Sequence, residues 1–151
     1  MATIGELTPA ESQWIQEQLD AARRFVAEHA GVGDVTLQNL DRAWARWMER
    51  REPDTDRVNA AINAVGIALG QSLVEAAGLR WVIATDEHGT DLALSALPGA
   101  GDVLVFPANL VAKRWERGET GFLSRVHSEI SAQVRRLSGE RPQGKPWWKV
   151  W

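Results

Sequence analysis

The chain has 151 residues, 8 of them Trp and none Cys, with 44% hydrophobic and 25% charged residues. That length favours one compact domain, the composition excludes a disordered or collagen-like chain, and the lack of Cys excludes disulfide scaffolds, thiol nucleophiles, iron–sulfur clusters and Cys-held zinc. A formal net charge of −3 gives no general reason to bind nucleic acid, although residues 119–151, with 3 acids against 6 bases, make the C-terminal end basic.

Thr8-Pro9-Ala10-Glu11 reads as a capping box with Pro at the first helical position. Ile15, Leu19, Ala22 and Val26 then recur at helical spacing, and Gly31 is placed to end the helix. Thr36 opens a second helix with Leu37, Leu40, Trp44, Trp47 and Met48 on one face, and Glu52-Pro53 breaks it. The third, from about Asp56 to Ala77, carries the widest apolar stripe and is expected to be central. Gly66 and Gly70 lie inside it, at about 1 kcal/mol each relative to Ala, on a stripe shared with Asn59 and Asn63. Either a strand or helix approaches closely there, or a polar-walled pocket opens beside the Asn pair.

After Gly78 the period changes from 3.6 to 2. Arg80–Thr85 and Thr90–Ala96 form a hairpin through Asp86-Glu87-His88-Gly89, and the run Asp102–Phe106 supplies a third, buried strand. Pro107 opens a helix ending near Arg117-Gly118, and Phe122 to Leu137 form a last amphipathic helix closed by Gly139. The expectation is an α+β domain over residues 1–138: three N-terminal helices, a three-stranded antiparallel meander and two C-terminal helices, with the helices on one sheet face. Residues 139–151 form a Pro/Gly/Trp-rich tail. The N-terminus lacks a basic flank followed by an apolar run, and no stretch approaches the roughly 20 apolar residues of a bilayer span, so a cytoplasmic protein without a transmembrane segment is expected.

Chemical motifs are sparse. Neither glycine-rich phosphate loop occurs, and His29, His88 and His127 stand apart with no HExxH spacing; no cofactor, metal or catalytic set is expected. His29 and His127 read as packing residues near apolar helix faces. Asp86, Glu87, His88 and Asp91 gather at a hairpin tip, which suits a solvated turn better than acid–base work.

Two features exceed what folding needs. Lys113, Arg114, Trp115 and Arg117 crowd the end of one helix; the helix dipole accounts for part of this, and Arg and Trp are residue types enriched in binding hot spots. Trp147, Trp148 and Trp151 place three indoles in a tail that Pro142, Gly144 and Pro146 keep irregular. Indoles in that number are costly to leave in water. The tail therefore docks on its own domain, swaps onto a second copy to make a homodimer, or meets another partner or a membrane interface.

The segment Ala76–Leu94, with its Gly-Leu-Arg-Trp lead-in and Asp-Glu-His-Gly turn, and the segment Val103–Glu119, with Phe-Pro-Ala-Asn-Leu-Val-Ala-Lys-Arg, resemble a bacterial family known as domain-of-unknown-function family 3806. The likeness covers about residues 56–130 and implies an intact domain, with no activity, cofactor or site residue attached. The leading expectation is a small non-enzymatic accessory or protein-binding domain, immunity-like by size and composition alone, acting through Lys113, Arg114, Trp115 and Arg117. The alternative is a ligand-binding protein or enzyme with a pocket between the central helix and the sheet, walled by Asn59, Asn63, Asp86 and His88.

Overall fold

Thr8 starts the first helix by reciprocal capping: its hydroxyl accepts from the Glu11 N–H at 3.3 Å, and its own N–H donates to the Glu11 carboxylate at 2.7 Å. The computed structural model describes residues 3–96 and 103–139. Among them are the strand β1 (Thr3–Gly5), the helices α1 (Pro9–Ala30), α2 (Leu37–Glu49) and α3 (Thr55–Ala77), and the strands β2 (Arg80–Asp86), β3 (Gly89–Ala96) and β4 (Val103–Val105). The helices α4 (Pro107–Glu116) and α5 (Leu123–Gly139) follow. Gly31 and Gly78 end α1 and α3 in the left-handed region, at φ 71° and 72°, where a residue without Cβ fits at no steric cost.

The sheet is an antiparallel meander in the order β1-β2-β3-β4, so it has four strands where the sequence suggests three. β1 adds itself to the free edge of β2, Ile4 lying opposite Ala84. A strand of three residues is too short for apolar alternation to show, and its pairing partner lies some eighty positions away.

Register assigns the two sheet faces. Trp81 sits opposite Leu94, and Leu94 opposite Val105; Leu94, Ala96, Val103 and Val105 join the helices in the main core, with Trp81 packed against it. α3 is its axis, with Val65, Leu69 and Leu73 fully inaccessible, and α1, α2, α4 and α5 pack around it. This helix contains an 18-residue window of mean hydropathy 1.3, which by length and composition could cross a membrane, a test that a buried core helix passes equally. The alternate residues of the sheet, Val82, Ala84, Ala93 and Leu104, form a second buried cluster with Ile4 and Phe106 packed against it. The outer face is therefore apolar as well.

The two glycines inside α3 are explained by close approach. A Cβ on Gly66 would lie 2.8 Å from Ala108 Cα, and one on Gly70 would run into the Trp81 ring. The start of α4 and the Trp81 indole occupy the space beside Gly66 and Gly70. The indole is fixed there by donating to Gln71 Oε1 at 3.1 Å.

A candidate binding groove beside Trp115

The turn between α2 and α3 builds one wall. Arg50 and Arg51 donate their backbone N–H groups to the carbonyls of Trp47 and Met48, at 3.0 and 3.2 Å, closing α2. Arg51 has φ 49° and is the one non-glycine residue with positive φ among the described residues, a conformation that costs roughly 1–2 kcal/mol for a residue with a Cβ. Asp54 then starts α3, accepting from the N–H groups of Asp56 and Arg57. Glu52 is drawn inward between these ends, its side chain 13% exposed and its carboxylate 3.5 Å from the Arg57 guanidinium.

The floor is Trp47, held edge-on against Phe25 at 6.0 Å and tilted against Trp44 at 5.1 Å. Trp44 in turn meets Phe122 edge-to-face and donates its indole N–H to the Glu119 carbonyl at 2.9 Å. Tilted and edge-to-face pairs of this kind contribute about 0.5–1.5 kcal/mol each beyond the area they bury. The far wall is the end of α4. Trp115 is 37% exposed, one of two large apolar side chains left in solvent among the described residues. With Trp47, Met48, Arg51, Glu52 and Glu116 it encloses an open groove of about 330 Å³.

The sequence-proposed cation cluster divides here. Lys113, Trp115 and Arg117 are exposed, whereas Arg114 is buried at 9% and so does not contribute to the surface. Its position follows from helical phase, because Leu110, Val111 and Arg114 are the inward residues of α4. Arg114 donates to the Leu110 carbonyl and lies 3.8 Å from the Glu119 carboxylate, which also pairs with Arg117 and Arg125. Burial pushes the Arg114 guanidinium down from its usual value, opposed by Glu119. Its role is to tie α4 to the start of α5.

The other proposed site residues lie apart from this groove. Asn59 is exposed and Asn63 half-buried on α3, while Asp86 and His88 stand in solvent at the hairpin tip. The Asp86 carboxylate accepts the His88 backbone N–H at 2.8 Å, as a turn residue does. Among the described residues no three His, Asp or Glu side chains gather to hold a metal ion. Trp147, Trp148 and Trp151 lie outside the described residues.

A second cavity, of about 310 Å³, lies among α1, α2 and α3, with Phe25, Glu28, His29, Arg50, Glu52 and Arg57 on its walls. Sequence reasoning took His29 only as a packing residue. It does pack, its ring 4.7 Å from Phe25, but it also meets this cavity. Desolvation lowers its pKa below 6.5, with Glu28 acting against the shift and Arg50 with it. The spacing Phe25-His29, one turn apart, is the sequence signal for the pair.

Fold and groove together define an α+β domain in which a helical layer presents an aromatic-floored cleft. The model of a protein family described as Domain of unknown function (DUF3806) matches residues 36–126, and the chain belongs to that family. The match begins at Thr36, the cap of α2, and includes every residue lining the Trp115 groove, whereas the cavity beside His29 also needs α1, which lies outside it. No curated protein and no solved structure matches the chain.

Proposed function

We propose that the chain is a small non-enzymatic accessory domain that binds a protein partner in the Trp115 groove. The observation carrying this reading is the exposed Trp115 edging a preformed cleft whose opposite wall contains the strained Arg51. Strain held in place by surrounding structure clusters at binding sites, and Trp and Arg are the residues that most often dominate binding energy. The groove accepts an apolar side chain against Trp47, Met48 and Trp115, and its charged rim of Arg51, Glu52 and Glu116 favours a partner segment with charges of both signs beside that anchor. Affinity capture from the native cell tests this: Trp115→Ala should reduce recovery of the partner at least tenfold while the melting temperature stays within about 2 °C. Equal recovery, or no specific partner of the parent chain, would refute it.

The second reading, a small-ligand protein, is favoured by the His29 cavity, where two guanidiniums, an imidazole and two carboxylates meet over an apolar base. None of Asn59, Asn63, Asp86 and His88 lines this cavity. An anionic metabolite seated there would exchange with Glu28, now 3.4 Å from Arg50. A saturable thermal shift, abolished by Arg50→Ala but unaffected by Trp115→Ala, separates this reading from the first.

A further inference from the structure

The cavity among α1, α2 and α3 holds charges of both signs in equal number. The guanidiniums of Arg50 and Arg57 and the carboxylates of Glu28 and Glu52 stand on its walls, paired as Arg50 with Glu28 at 3.4 Å and Arg57 with Glu52 at 3.5 Å. Arg57 also lies 4.0 Å from Asp54. None of these separations is that of a tight charged hydrogen bond. Arg50, Glu28 and Arg57 are more than half exposed, and exposed pairs of this kind contribute little to stability, so a ligand can exchange with them.

His29 lines the same cavity. Its side chain is 8% exposed, and among the described residues its imidazole makes no hydrogen bond, with Glu28 no nearer than 3.8 Å. Burial lowers its pKa below 6.5, so at pH 7 the ring is neutral and offers one N–H donor and one nitrogen acceptor. Leaving such groups buried and unmet is costly, and the cavity is where a partner for them fits. The base of the cavity is apolar, with Phe25 and Trp47 on one side and the short side chains of Ala61 and Ala64 on the other.

We infer that this cavity binds a free α-amino acid with an apolar side chain. The inference rests on the small-ligand reading above and adds the class of ligand, which carries an ammonium beside its carboxylate. An anion alone, taking Arg50 and Arg57, would strip Glu28 and Glu52 of their partners. Glu52 has only 13% of its side chain exposed, and a carboxylate left unpaired away from water is costly. A zwitterion replaces both ion pairs at once: its carboxylate takes the guanidiniums, its ammonium takes the glutamates, and its side chain lies against Phe25 and Trp47. The two groups sit on one carbon, and opposite charges 3.4 and 3.5 Å apart on the walls present the matching alternation. His29 adds a hydrogen bond to either group. The volume of about 310 Å³ lies at the lower end of the range for small-molecule sites, roughly 300–1,000 Å³, and suits a single residue better than a peptide.

Isothermal titration calorimetry of the full chain with L-leucine and L-phenylalanine tests this, each run beside its N-acetyl and its carboxamide derivative. At least one free amino acid should bind saturably, and both of its blocked derivatives at least tenfold more weakly, because a site built around a hydrogen-bonding group rejects an analogue that lacks it. Glu28→Gln and Arg57→Gln, at exposed positions, should each weaken the free amino acid at least fivefold with circular dichroism unchanged; should either variant unfold, the blocked derivatives decide the matter on the parent chain. An N-acetyl derivative that binds as tightly as its parent would keep the small-ligand reading and overturn the zwitterion. A carboxamide that does so, no binding by either amino acid, or binding unaffected by both substitutions would overturn the inference as well.

Discussion

A carboxylate on α2 closes the start of a helix 82 positions away. Asp41 accepts from the backbone N–H of Leu123 at 2.8 Å, and from the N–H and hydroxyl of Ser124 at 3.0 and 2.8 Å, satisfying donors that have no partner inside α5 and lying at the positive end of its dipole. Local sequence could not reveal this cap, because its two halves meet only after α2 and α5 have packed; the caps of α1 and α2, by contrast, lie within three residues of the groups they serve and were readable. His29 shows the same divide. Its apolar setting was legible from the stripe it borders, its cavity was not. Desolvation holds its folded pKa below the unfolded 6.5, so the unfolded state binds the proton more readily. The stability contributed by the neutral ring is fully present above pH 6.5 and is lost as pH falls from there through the folded value. His29→Phe keeps the contact with Phe25 and removes the titration. Its urea midpoint should vary less than the parent's between about pH 7.5 and pH 5.5, and an unchanged pH profile would show that His29 does not titrate differently on folding.

At the scale of elements, α3 shows why a helix tolerates interior glycines. Ala in place of Gly66 would gain about 1 kcal/mol of helix propensity, yet its Cβ would meet the backbone of Ala108 at 2.8 Å, and overpacking of that kind costs typically 1–3 kcal/mol. Gly66→Ala and Gly70→Ala should each lower the melting temperature by a few degrees, whereas Gly33→Ala, with open space around its Cβ position, should leave it nearly unchanged. A gain in stability at Gly66 would mean that α4 can draw back from α3. The close approach was one of two readings open from sequence, and geometry selects it because Pro107 and Trp81 converge on the same stripe. β1 was illegible for a different reason, its three residues having no period to read. Arg114 was legible in principle, since Leu110 and Val111 fix the phase of α4, but a charged residue is ordinarily assigned to the surface.

For the whole molecule, element order and the α+β class followed from caps, glycine stops and the change of period after Gly78. The groove did not, because it depends on how the α2–α3 turn and the end of α4 meet in space. Trp47 and Met48 were visible as one helix face and Trp115 as a surplus indole, but nothing local ties Arg51 to Trp115. The resulting architecture puts an aromatic-floored cleft on the helical layer. Its central claim is that the Trp115 groove is the recognition surface, and a photoreactive phenylalanine derivative incorporated in place of Trp115 tests this most directly. Irradiation in the native cell should yield one discrete protein adduct that is missing when the same group replaces Glu17, which is exposed on α1. No adduct at position 115, or the same adducts from both positions, would contradict the account.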